Sequence, residues 1–139
     1  MRITKKERIF WCIGLLVVIL LLSYVVPIPV LITNKNVTAV YQMDDGTEKN
    51  MELKIKGTYY QYIFKEDKFI GEILSDDLPF DETVETYLLQ DITFMQSPEW
   101  DYSWGTLAYW VYDSKGMVST EVIGQLQMVD VFKNVVIVE

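Results

Sequence analysis

Trp100, Asp101, Tyr102 and Trp104 stand within five residues of one another, and with Tyr109, Trp110 and Tyr112 they place six aromatic rings in a stretch of 13 residues. Aromatic planes beside a carboxylate suit recognition of a glycan or a cationic group, because the ring faces stack while the acid accepts hydroxyl or ammonium protons. Burial competes for the same rings. In a strand, Trp104, Leu107 and Tyr109 cannot all share a face with Trp110, so alternation must send some of them into a core and leave others outside. Core packing is the plainer use of the group. The sharper one makes Trp100, Asp101, Tyr102 and Trp104 a candidate ligand-binding set.

A second concentration is acidic: Glu72, Asp76, Asp77, Asp81, Glu82, Glu85, Asp91, Glu99, Asp101 and Asp113 fall between Phe69 and Ser114 with no Lys or Arg among them. A calcium ion wants six to eight oxygens, yet the ordered D-x-[DN]-x-[DN]-G spacing is missing, and Asp44-Asp45-Gly46 reads as a turn. A solvated acidic face is expected here, with no metal site and no cofactor. The chain has no histidine and one cysteine, Cys12. That removes histidine relays, His or Cys zinc cages and any internal disulfide. A carboxylate pair could still run glycoside hydrolysis, but with 20 Asp and Glu in the chain some pair is inevitable and identifies nothing. The lysines lie on polar strand faces or in turns, where none is desolvated enough to serve a Ser-Lys nucleophile.

The elements that must hold these residues begin with an anchor. Ile9 to Ile32 is an uncharged run of 24 residues, which as a helix reaches about 36 Å, enough for a hydrocarbon core of ~30 Å. A cleaved signal peptide would need small residues after a shorter apolar run, and Ser23 to Val30 offers none of that pattern. Arg2, Lys5, Lys6 and Arg8 against Glu7 leave residues 1–8 at +3, whereas the chain beyond the apolar run carries 8 Lys and Arg against 19 Asp and Glu, a net of -11. Basic flanks stay on the cytoplasmic side, so the N-terminus is expected inside and the rest outside. Phe10, Trp11 and Tyr24 stand where interfacial aromatics would, and Pro27 and Pro29 end the helix. An outer part at -11 repels phosphate backbones and excludes nucleic acid as a natural partner. The expected organisation is a basic cytoplasmic N-terminus over residues 1–8, a transmembrane anchor helix over 9–32, and an extracytoplasmic β-domain over 33–139, with Ile32 to Asn36 as linker.

That domain alternates with a period of two. Val37 to Met43 reads as a strand, Asp44-Asp45-Gly46 as a tight turn, and Met51, Leu53 and Ile55 alternate with Glu52, Lys54 and Lys56 as a half-exposed strand. Gly57 interrupts, Thr58 to Phe64 resumes, Lys65 to Lys68 turns and Phe69 to Leu74 returns. Asp76 to Glu82 reads as a loop. Thr83 to Phe94 is extended, or Asp81 caps a short helix there. Trp104 to Tyr112, Met117 to Val129 and Val131 to Val138 supply the last strands, with Asp113 to Gly116 as a turn. Seven or eight short strands without room for crossovers predict a mainly β fold, an antiparallel β-meander closing as a sandwich or small barrel.

The text from Leu53 to Leu74, with Gly57 and Gly71 as its most characteristic positions, resembles a strand–turn–strand pattern of small uncharacterised membrane-anchored or secreted β proteins of Gram-positive bacteria. The resemblance covers about 22 residues, implies a bacterial envelope setting and a β-rich fold, and carries no catalytic residues. The sequence thus points to a single-pass membrane-anchored binding or accessory module of the cell envelope, working on another membrane protein or a cell-wall component rather than by turnover. The alternative is a carboxylate-dependent envelope enzyme such as a glycan hydrolase.

Overall fold

The computed structural model describes residues 2–80 and 82–139. Helix α1 (Lys5–Val25) starts at a capping box, in which the Thr4 hydroxyl accepts from the Glu7 amide at 3.3 Å and the Glu7 carboxylate accepts from the Thr4 amide at 2.9 Å. Glu7 is also the acid that favours the positive end of the helix dipole. Its 21 residues rise about 32 Å. The mean hydropathy reaches 2.4 and no residue is buried, so α1 is long and apolar enough to cross a membrane. A helix that is apolar all round must be buried in protein or in lipid. The Ser23 hydroxyl donates to the Ile19 carbonyl at 2.8 Å and so is satisfied within the helix. Val26, held extended ahead of Pro27, ends the helix.

The helix therefore takes less of the uncharged run than the 9–32 span expected from charge alone. Strand β1 (Ile28–Gln42) claims its last residues, and it continues without a linker through Ile32 to Asn36. That stretch is instead a bulge, where Thr33 and Asn34 together oppose Lys56, between the Ile32/Gly57 and Lys35/Ile55 pairs. The extra residue switches the inward phase from Ile32 to Ala39 and Tyr41, so both halves of a 15-residue strand bury a face.

β2 (Glu48–Gln61) returns antiparallel through a turn in which Gly46 adopts φ +84° and the Asp45 carboxylate accepts from the Thr47 amide at 2.9 Å. β3 (Asp67–Leu74) follows, and Gly57 sits within β2 rather than interrupting it, directly opposite Gly71 of β3. A Cβ on Gly57 would lie 2.5 Å from the Ile70 carbonyl oxygen, and the Phe69 ring covers both glycines. The pair lets two strands and a ring come closer than side chains would allow.

The segment from Thr83 to Phe94 resolves into two strands, β4 (Val84–Leu89) and β5 (Ile92–Gln96). The Asp81 cap lies outside the described residues. β6 (Ser103–Asp113), β7 (Val118–Met128) and β8 (Val136–Val138) complete eight strands. The last is much shorter than Val131 to Val138, because residues 129–135 form a loop that turns Phe132 inward. Phe132 takes φ +48°, a conformation costing about 1–2 kcal/mol for a residue with a Cβ. Full burial of its ring, about 1.5–3 kcal/mol, offsets that cost, with Phe69 at 4.9 Å and Tyr59 at 6.2 Å between centroids.

The ladders return on themselves: β1–β2, β2–β3, β3–β5, β5–β6, β6–β7, β7–β8 and β8–β1, with β4 running on along β6 beyond β5, on the same edge. Such a closed circuit is the connectivity that a barrel requires. The sheet is mixed, not the purely antiparallel meander expected. The reason is arithmetic: in an up-and-down ring of seven strands the first and last run the same way, so β1 and β8 must meet in parallel. One contiguous core fills the inward faces, its largest fully buried members being Tyr59, Tyr109, Phe69, Phe94 and Phe132.

Candidate functional site

The β5–β6 connection is built by Ser97, whose carbonyl accepts from the Trp100 amide at 3.0 Å and whose hydroxyl accepts from the Glu99 amide at 3.4 Å. This turn throws Trp100 outward. Its ring stacks on Tyr102 with centroids 5.7 Å apart and planes at 2°, and meets the Trp104 ring at 6.0 Å and 56°. Three of the four sequence-predicted residues are thus one aromatic surface, and the fourth, Asp101, is exposed beside them. Trp100 keeps 44% of its area open. Trp104, the second residue of β6, is half-buried on the outer flank, opposite Met95 and Gln127. Its Nε1 is shut from solvent and has no hydrogen-bond partner among the described residues. An unpaired buried donor costs about 1–3 kcal/mol.

Alternation divides the remaining rings. Leu107 and Tyr109 point into the core, whereas Trp110 stands outside, 44% exposed, between Leu88 of β4 and Thr120 of β7. Core packing therefore accounts for Tyr109 and for none of the three tryptophans at 100, 104 and 110.

The acids do other work. Asp113 accepts from the Lys115 and Met117 amides, both at 2.9 Å, and so shapes the β6–β7 turn. Asp91 meets Lys68 of β3 at 3.5 Å. No three metal-ligating side chains converge among the described residues. Three phenols are held as donors. Burial raises the Tyr109 hydroxyl, which donates to the Ile73 carbonyl at 2.7 Å. Burial and then Asp67 raise Tyr59, which donates to that carboxylate at 2.9 Å. Burial and then Glu139 push Tyr41 up to about 12, with a bond of 2.8 Å to Glu139. Hydroxyls raised in this way are locked donors, not nucleophiles.

One cleft was not foreseen. On the side away from β2, β3 is paired only over Asp67–Phe69, and Ile70 to Leu74 faces β4 across a hollow of about 420 Å³ lined by Ile70, Leu74, Leu88, Asp91 and Trp110. β4 continues along the edge of β6 where β5 leaves off, with the Gln90 amide donating to the Ala108 carbonyl between them, but it does not pair with β3 among the described residues. That open seam is the hollow, and strand alternation alone does not announce it.

No family model, no curated protein and no solved structure matches the chain.

Proposed function

We propose that this chain is a membrane-tethered binding module whose β-domain, held outside the cytoplasm, engages a membrane-borne protein through Trp100, Asp101, Tyr102 and Trp104 without chemical turnover. The observation that carries the reading is the stacked Trp100/Tyr102 pair, an ordered and exposed aromatic face on a loop. Rigid aromatic anchors of this kind concentrate binding energy at protein interfaces. Position narrows the partner. In the up-and-down circuit, the loop after β5 lies at the strand ends that include the start of β1, and β1 follows α1 directly. A face at that end meets proteins in or on the membrane before it meets a distant wall polymer. The surplus of acids steers basic surfaces towards it, more weakly as salt rises.

The test is co-purification of the full chain in mild detergent, identification of what accompanies it, and titration of that partner against variants. Trp100→Ala should weaken binding at least fivefold, about 1 kcal/mol, while leaving the thermal midpoint unchanged because the ring is outside the core. Trp110→Ala removes an equally exposed ring elsewhere and should leave binding intact. Loss on Trp110→Ala with none on Trp100→Ala would move recognition to the β3/β4 cleft and overturn the assignment.

A further inference from the structure

The turn between β2 and β3 carries two adjacent apolar side chains that pack into no core: Ile63 is 58% exposed and Phe64 56%. In a soluble loop, that pair is a liability. Register explains where it goes. Ile28, the first residue of β1, pairs with Gln61, the last of β2, so residues 62–66 project beyond the start of β1 and alongside the chain that leads back into α1. The Phe64 ring accordingly lies 6.3 Å from that of Tyr24, at 22°, within the last turn of the helix. Val17, Leu20, Leu21, Tyr24 and Phe64 enclose an open apolar hollow of about 510 Å³. Leu31, 73% exposed, adds to the apolar surface near the start of β1. Lys65 closes the turn, its ammonium 4.3 Å from the centre of the Tyr62 ring.

We propose that this hairpin tip is a second membrane contact: Ile63 and Phe64 enter the leaflet that α1 leaves at Tyr24, an acyl chain occupies the hollow between Phe64 and the helix, and Lys65 meets the headgroup phosphates. The inference rests on α1 spanning the bilayer, as in the proposed function. Length then sets depth, because the uncharged part of α1, residues 9–25, rises about 26 Å against a hydrocarbon core of ~30 Å and so brings Tyr24 near its outer edge. A ring stacked on Tyr24 sits at that same level. An ammonium beside an aromatic ring at the polar edge is how such tips meet anionic lipid. The occupant is lipid rather than a partner protein because the hollow is continuous with the lipid-facing surface of α1, none of which is buried in protein. Two contacts in place of one remove the swivel about Val26 and Pro27 and fix which face the domain turns to its neighbours.

The test uses the full chain with Cys12→Ser, carrying in turn Val18→Cys, Ile63→Cys or Ser114→Cys, each labelled with an environment-sensitive fluorophore. The labelled chains are reconstituted into vesicles of phosphatidylcholine and phosphatidylglycerol with and without acyl-chain nitroxide lipid. Quenching at position 63 should approach that at 18 and exceed that at 114 by severalfold. Strong quenching at 18 with position 63 as weakly quenched as 114 would overturn the hairpin contact and leave the anchor standing. Weak quenching at all three positions would overturn the anchor and the hairpin contact together.

Discussion

Tyr41, Tyr59 and Tyr109 show what single residues contribute to this molecule. Each buries a ring in the core and sends its hydroxyl to a fixed acceptor, Glu139, Asp67 or the Ile73 carbonyl, so one side chain adds apolar area and a directional bond. Their ionisation sets an alkaline limit. An unfolded tyrosine titrates at 10.0, whereas Tyr41 in the fold titrates at about 12. The folded state therefore favours the protonated form, and the stability this supplies is complete below pH 10 and is lost as pH rises through 12. Denaturant midpoints of the full chain in detergent, measured between pH 9 and 12, should fall over the upper half of that range. Tyr41→Phe should be less stable at neutral pH by about 1 kcal/mol, the net worth of a typical hydrogen bond, yet lose less on going to high pH. An identical alkaline slope in the two proteins would show that Tyr41 is not part of it.

At the scale of elements, alternation made most strands visible and made the turns visible with them. Met51, Leu53 and Ile55 are buried as their spacing requires, and the Asp44-Asp45-Gly46 and Asp113 to Gly116 turns stand where their acids and glycines put them. What could not be read is what depends on a partner strand. The bulge at Thr33 and Asn34 is defined only by Lys56 across the ladder, and the open seam between β3 and β4 only by the end of the β3–β5 pairing at Phe69 and Ile92. The aromatic group at Trp100 to Trp104 was legible as a cluster of residue types, but its stacking comes from the Ser97 turn. The Ile63-Phe64 pair carried a signal of its own, two large apolar residues inside a charged turn, whose meaning needed the Ile28/Gln61 register. The glycine pair supplies the test at this scale. A Cβ on Gly71 would overlap the Lys56 carbonyl oxygen and lie 2.6 Å from the Gly57 Cα, both backbone atoms that cannot move aside cheaply. Gly71→Ala should destabilise the full chain by about 2–3 kcal/mol in denaturant titration, as overpacking of a tight site does. Gly14→Ala, in open space on the helix, is the control and should be neutral. Equal midpoints for Gly71→Ala and the parent would show that β2 and β3 separate without penalty.

The whole molecule is organised along one axis of charge and polarity. Residues 1–8 stand at +3, α1 is uncharged from Ile9 onward, and the remainder carries -11. Translocating the acidic part while retaining the basic end is the arrangement in which positive residues stay in the cytoplasm. The aromatic face and the hairpin tip both lie at the strand ends nearest α1, and the turns at Asp44 and Asp113 lie at the other end. If that arrangement holds in cells, alkaline carbonate should leave the chain in the membrane pellet at full length, because the helix and not peripheral charge retains it. In the same arrangement, protease added to intact spheroplasts should digest the β-domain. Recovery of a shortened chain from the medium would show that the apolar segment is removed as a signal. A protected domain in spheroplasts, digested only after lysis, would reverse the orientation and place the aromatic face among cytoplasmic partners.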